Sequence, residues 1–380
     1  MDIFPLKEEK IPLKEEKIAS LLDFMLAPKQ GERLLFLTDY SDKADSRRLG
    51  REALLSRFYA GARRLSQQKG LVLLPLVKYR ETGANNAELP TLAATQGGGH
   101  VDKLHELLTS ANIAIAMTEY SATAPLRNIA ARAPSLRAVS MPGVTAGMEG
   151  AMGADYSRIA ERGRKLLAVL SSATGFETLF SGSNLPPNTK LHIDTRASNW
   201  TLEDGICRKA GECINFPSGE LFTPPYEGVS TEGRRELGDS QTQGVLPVFS
   251  HTDAKIAFLH IAKNRIVRVQ GDSDAANKII DDIAKDENAA NIAELGFGIN
   301  DRARSDYRVP VLEREKSGPH IAYGRNDHFG SPASLSGKVR ANIHQDIVYS
   351  SSSPISATIH AVYKNGNRVL ICERGKLVAV

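Results

Sequence analysis

The sequence predicts a two-domain α/β protein: an N-terminal layered α/β domain with a mostly parallel sheet, then an α+β domain with a curved, mostly antiparallel sheet. Three observations carry that expectation. From Arg33 to about Phe180, apolar runs of strand length alternate with helical patterns. A Pro/Gly/Ser/Asn cluster, residues 181–188 (SGSNLPPN), then breaks the pattern as a linker or turn would. Beyond it, strand-like segments dominate and one helical stretch interrupts them. The 380 residues suit about two domains at roughly 150 residues each, and the expected division is 1–20, 21–186 and 187–380.

Residues 1–20 read as a charged extension containing a tandem repeat, PLKEEKI at 5–11 and again at 12–18. Two polar copies are too few for a solenoid, so a solvated arm leading into a helix around Ile18 to Met25 is expected. Leu34 to Thr38, Leu71 to Val77 and Ile113 to Thr118 are short continuous apolar runs, the pattern of strands buried on both faces of a parallel sheet. Arg51 to Gln67 and Lys103 to Ala111 carry apolar residues at helical spacing between them, and a longer helix from Asp155 to Ala173 closes the domain. In the second domain, strands are expected at 190–195, 255–261, 266–269, 291–299, 320–323, 342–349, 355–363 and 369–371, with a helix at 273–285.

Composition narrows the function. Hydrophobic residues are 41% and charged residues 24% of the chain, as in ordinary globular proteins. A formal charge of +4 with no basic stripe speaks against nucleic-acid binding. No run approaches the ~18 apolar residues of a membrane span, and the charged N-terminus does not resemble a signal peptide. Cys207, Cys213 and Cys372 are an odd number at spacings that fit neither a zinc ribbon nor a redox pair, so a cytoplasmic home is expected. The first strand runs into Asp39-Tyr40-Ser41 without a dinucleotide-binding glycine turn. The glycines at 97–99 and at 143, 147, 150 and 153 lack the ending of a nucleotide P-loop, and the serine run 350–353 lacks nucleophile-elbow glycines.

Chemistry concentrates in residues 217–346, where carboxylates and histidines stand in apolar, strand-like contexts. An ionised group in such a place is costly unless it is paired or ligates a metal. Glu294 is the one charge in NIAELGFGIN, residues 291–300, and Gly296 and Gly298 beside it permit close backbone approach. Taken alone it reads equally as an edge-strand carboxylate facing water. Glu220 sits at a glycine turn bounded by prolines, where a solvated loop carboxylate is the ordinary reading. His344 and Asp346 are two apart on a strand and so share a face, either as a metal clamp or as a hydrogen-bonded structural pair. His320 opens a short apolar strand after Gly318-Pro319, with Glu315 on the approach. Two imidazoles with several carboxylates suit Zn, Mn, Fe or Co better than a thiolate-type site does.

The succession of Pro217-Ser218-Gly219-Glu220-Leu221-Phe222-Thr223-Pro224-Pro225, the Ala293–Asn300 strand, Glu315 followed by His320-Ile321-Ala322-Tyr323-Gly324, and the late His344-Gln345-Asp346 resembles the thermophilic aminopeptidase (aminopeptidase T) metallopeptidase family. The resemblance extends over residues 30–380 and is clearest from 215 to 350. It implies a cytoplasmic, homodimeric metallo-aminopeptidase acting on peptides or small amides. It also implies two divalent ions (Zn, Co, Mn or Fe) held by Glu220, Glu294, Glu315, His320, His344 and Asp346, with Glu294 or Glu220 shuttling the proton. The family's tyrosine seven residues beyond the first ligand histidine is Asp327 here, which leaves Tyr323 or His328 as nearby groups to assist the reaction. The same fold is similar to that of 2,5-dihydroxypyridine dioxygenases, whose single ferrous ion would fall to His320, His344 and Asp346. Those enzymes lack the counterparts of Glu220 and Glu294, and this favours the peptidase. A non-catalytic peptide binder and a dedicated amide hydrolase are the other readings.

Overall fold

The computed structural model describes residues 12–42, 46–101, 103–228, 237–329 and 335–379. The chain forms two compact units, Met1–Ala154 with Gly205–Pro217, and Asp155–Asp204 with Ser218–Val380. The architecture is the expected α/β one, with a mostly parallel sheet in the first unit and antiparallel sheets in the second.

In the first unit the strands Cys213–Asn215, Arg137–Pro142, Ile113–Thr118, Arg33–Tyr40 and Val77–Arg80 lie side by side and parallel. The short antiparallel strands Ala93–Thr95 and His100–Val101 extend one edge. All six residues of Ile113–Thr118 are buried, which is why the run is apolar throughout rather than alternating. The run expected as one strand at 71–77 is two, Val72–Leu73 and Val77–Arg80, because Pro75 has no N–H to donate to a ladder. The first copy of the tandem repeat lies outside the described residues. The second opens the helix Glu15–Leu26, and its Ile18 is fully buried rather than solvated.

The unit boundary differs from the expected one. The helix Tyr156–Leu170, capped by the Asp155 carboxylate on the backbone N–H groups of Ser157 and Arg158, belongs to the second unit. It ends before Ala173, where the strand Ala173–Gly182 begins and pairs with Lys190–Asp194. The cluster at 181–188 is therefore the turn of a hairpin, not a linker between domains. Proline, asparagine and serine signal either one.

The second unit contains an eight-stranded antiparallel sheet running from Arg265–Gln270 to Lys376–Leu377. It also holds a five-stranded one in the order Thr201–Glu203, Glu220–Thr223, Ile292–Gly298, Pro319–Gly324, His344–Val348. Every pairing in the latter is antiparallel, and this sheet carries Glu220, Glu294, His320, His344 and Asp346.

At the C-terminal end of the central parallel strand, Asp39 accepts hydrogen bonds from the backbone N–H of Glu119, at 2.8 and 2.9 Å, and of Tyr120. Arg51 pairs with Asp39 at 3.4 Å and with Glu119. This buried arrangement ties the ends of two neighbouring strands. Removing the cation strands a buried carboxylate, so Arg51→Met should destabilise the protein by about 3–5 kcal/mol in denaturant titration; a loss below about 1 kcal/mol would mean that Asp39 is held by its amides alone.

Candidate metal centre

Partners across the antiparallel ladder share a face of the sheet, and so do residues two apart on one strand. Glu220 pairs with Gly298, His320 with Gly296, Ala322 with both Glu294 and Asp346, and Gly324 with His344. Glu220, Glu294, His320, His344 and Asp346 therefore emerge from one face, and the residues between them are Gly296, Gly298, Ala322 and Gly324. The small residues form a floor. A Cβ on Gly296 would lie 2.0 Å from His320 Nε2, so the imidazole rests directly on glycine backbone.

The converging atoms form two groups that share one side chain. Glu220, Glu294 and His320 bring ligand atoms within 4.8 Å of one another, and so do Glu294, His344 and Asp346. Glu294 divides its oxygens between them: Oε1 stands 3.1 Å from His320 Nε2 and Oε2 3.2 Å from His344 Nε2. Glu220 Oε2 is 3.5 Å from His320 Nε2, and Asp346 Oδ1 is 3.5 Å from His344 Nε2. The far nitrogens are occupied. His320 Nδ1 lies 3.3 Å from the Gly318 carbonyl and His344 Nδ1 2.6 Å from that of Arg325. A carbonyl only accepts, so each Nδ1 carries the hydrogen, and each Nε2 of a neutral ring turns a lone pair toward the carboxylates, the orientation of a ligating histidine.

Charge in this cluster is concentrated and buried. Burial alone would raise the Glu294 carboxyl, but hydrogen bonds from His320 and His344 outweigh it and hold the group down to about 2. Burial works against a charged His320, yet its hydrogen bond with Glu294 lifts it to about 9. His344 is driven well above its ordinary value as well: burial opposes its charge, and Asp346 and Glu294 overcome it. Asp346 is lowered by His344 against the effect of burial. Burial raises Glu220 and raises Glu315 strongly, with Lys316 offsetting part of each. Lys316, fully buried, donates to Glu220 Oε1 and to Glu315 Oε1 at 2.7 Å. Four carboxylates thus face one lysine and two imidazoles, and protons on the imidazoles do the work of cations. Glu220 Oε2 is buried without a hydrogen bond. An orphaned carboxylate oxygen, mixed N and O donors and surplus negative charge together fit divalent metal ions.

The six residues implied as ligands do not stand alike. Five form the two groups, while Glu315 lies beside them with its carboxylate on Lys316. Tyr323 is not brought to the cluster. It follows Ala322 on the strand and points to the opposite face, and its hydroxyl donates to Asp282 at 3.2 Å. Asp327 pairs with Arg325. His328 is near, its ring edge-on to that of His344 with centroids 5.5 Å apart, and Phe329 packs between His328 and Phe222. Lys316 escaped the sequence reading; the available signal was its position between Glu315 and the apolar strand that begins at Pro319.

No protein-family model matches the chain, and no curated protein matches it in sequence. Two solved structures share its fold over nearly their whole length. The 2,5-dihydroxypyridine dioxygenase of Pseudomonas putida KT2440 aligns with a TM-score of 0.63 at 12% identity, covering 97% of this chain and 99% of that one. The wild-type AmpT of Thermus thermophilus aligns with a TM-score of 0.58 at 14% identity, covering 96% and 98%.

Two outcomes follow from this geometry. Gly296→Ala should push the His320 ring off its floor and weaken metal binding at least tenfold, on the about 10–100-fold scale of disturbed ligand support; unchanged affinity in a metal titration of a folded variant would remove His320 from the ligand set. For the metal-free protein, a histidine at 6.5 when unfolded and about 9 when folded contributes stability that is complete below pH 6.5 and lost as pH rises through 9. Urea unfolding in chelator should therefore show stability falling by a few kcal/mol, roughly, across that interval, whereas a flat profile would contradict the imidazolium–carboxylate pairing.

Proposed function

We propose that the chain is a metal-dependent aminopeptidase that hydrolyses N-terminal residues from peptides or small amides at a two-metal centre. One observation carries the reading: the Glu294 carboxylate is shared between His320 and His344, one oxygen to each, so that the donors divide into two groups with a common bridge. That division suits a pair of ions better than one. Glu220 and His320 would hold the first, His344 and Asp346 the second, Glu294 would bridge them, and Glu315 would complete the set by turning from Lys316. Bound there, divalent ions supply a water activated near neutral pH and polarisation of the scissile carbonyl.

The side chains divide the remaining work. Glu294, occupied through both oxygens, is a bridge more than a base. Glu220 is the alternative carrier of the proton toward the leaving amine, through Oε1, since Oε2 is the oxygen that would meet the first ion. Lys316 keeps Glu220 in place and limits the net negative charge, and it would release Glu315 to the ions. The aromatic wall of Phe222, His328 and Phe329 beside His344 keeps that flank apolar. The chain carries AmpT's fold, and the motifs that resemble aminopeptidase T supply the ligand types. A homodimer is the assembly we assign with this reading.

A single-iron oxygenase on the same frame would use His320, His344 and Asp346. Among the described residues no three-donor group brings those three together, because His320 is grouped with the two glutamates. The test uses metal-reconstituted protein, metal analysis and a peptide library read by mass spectrometry. Wild type should retain two equivalents and release N-terminal residues. Glu294→Gln should fold, retain fewer equivalents and lose at least about a hundredfold in turnover. One equivalent of iron with oxygen uptake and intact peptides would reject the peptidase.

A further inference from the structure

Arg314 stands immediately before Glu315, at the end of the short helix Val311–Arg314. It is half-buried, its Nε is enclosed without a hydrogen bond, and its guanidinium has no ion-pair partner among the described residues. That contrasts with its neighbours. Arg304 forks onto Glu313 at 2.8 and 3.0 Å, and Arg308 forks onto Asp306. The nearby carboxylates are thus committed: Glu313 to Arg304, Asp306 to Arg308, Glu315 to Lys316, and Asp346 to His344. Asp346, Glu315 and Asp306 act on Arg314 electrostatically, and Arg314 in turn acts on His251, whose ring stacks on Tyr307 at 4.5 Å. The guanidinium is thus within electrostatic reach of Glu315, Asp346 and His251, with its Nε enclosed and no ion pair among the described residues.

A planar guanidinium taken out of water without a partner is unfavourable, and its fork of donors matches a carboxylate bidentately. We propose that Arg314 is a substrate-recognition residue that receives the free carboxylate of a small substrate, a dipeptide or an N-acyl amino acid, in preference to the interior of a longer peptide. The inference rests on the hydrolase reading for the identity of the substrate. In a dipeptide the carboxylate lies about one residue length, ~3.5 Å, beyond the scissile amide, so a carboxylate anchored next to a ligand-bearing turn leaves the amide directed at the neighbouring ligands. A long peptide presents no charge at that point.

The probe is a pseudodipeptide, leucyl-alanine with its amide reduced to a methyleneamine, prepared with a free carboxylate or as the carboxamide. Calorimetry gives the affinities of both for metal-reconstituted wild type, Arg314→Gln and Arg314→Lys. Wild type should bind the carboxylate form about tenfold or more tightly than the carboxamide. In Arg314→Gln that ratio should fall to about one, and Arg314→Lys, with a point charge in place of a fork, should lie between. Equal affinities in wild type, a ratio unchanged in Arg314→Gln, or no binding of either form overturns the assignment. Cleavage of unmodified leucyl-alanine is followed separately. Cleavage without an Arg314-dependent ratio rejects Arg314 alone, whereas an Arg314-dependent ratio without cleavage keeps the recognition site and rejects the peptidase.

Discussion

Everything in the five-stranded sheet follows from the cost of holding Glu294 ionised where water does not reach it. A buried carboxylate requires positive charge and hydrogen bonds in near contact, because the loss of hydration exceeds what a distant partner returns. Here both oxygens are met by imidazoles at 3.1 and 3.2 Å. The imidazoles are oriented by backbone carbonyls at Gly318 and Arg325. One of them fits only because the residue beneath it has no side chain, and Gly298, next along the strand, lies against the Glu315–Lys316 backbone so closely that a Cβ would stand 2.2 Å from the Lys316 carbonyl carbon. The glycines of the sheet are thus space for the cluster, not flexibility. Lys316 completes the arrangement, since Glu220 and Glu315 would otherwise repel each other and Asp346 without relief.

Much of this was legible in the sequence, for local reasons. Alternation on a strand puts His344 and Asp346 on one face whatever the rest of the fold does. A single charge between Ile292, Ala293, Leu295 and Phe297, with glycines two and four residues on, singles out Glu294 on an apolar strand, although those neighbours alone fit a carboxylate facing water equally well. The run Ile113–Thr118 has no polar side because both of its faces are covered. What escaped depends on partners remote in the chain. The prolines around Glu220 suggested a loop, yet Glu220–Thr223 is a strand, because its neighbours Thr201–Glu203 and Ile292–Gly298 supply ladders on both sides. Lys316 looks like any surface lysine until Glu220, 96 residues away in sequence, is folded against it. Tyr323 is close to His320 in number and opposite to it in space, a consequence of the odd offset between them.

Fold similarity by itself leaves the chemistry open, since one frame is shared by solved structures with different names. The decision lies with side chains on a single sheet face. His320, His344 and Asp346 alone would offer three donors, the number that one ion with open positions takes. Glu220 and Glu294 alter the count: the first adds a donor at His320, and the second, standing between the imidazoles, supplies one oxygen to each side. A carboxylate so placed cannot serve one ion through both oxygens while keeping its hold on both rings. On the two-metal reading proposed above, adding the bridge would convert a three-donor site into two sites with a common edge. The surplus negative charge it brings is tolerable only if more cationic charge arrives with it, as protons on the imidazoles or as a second metal ion.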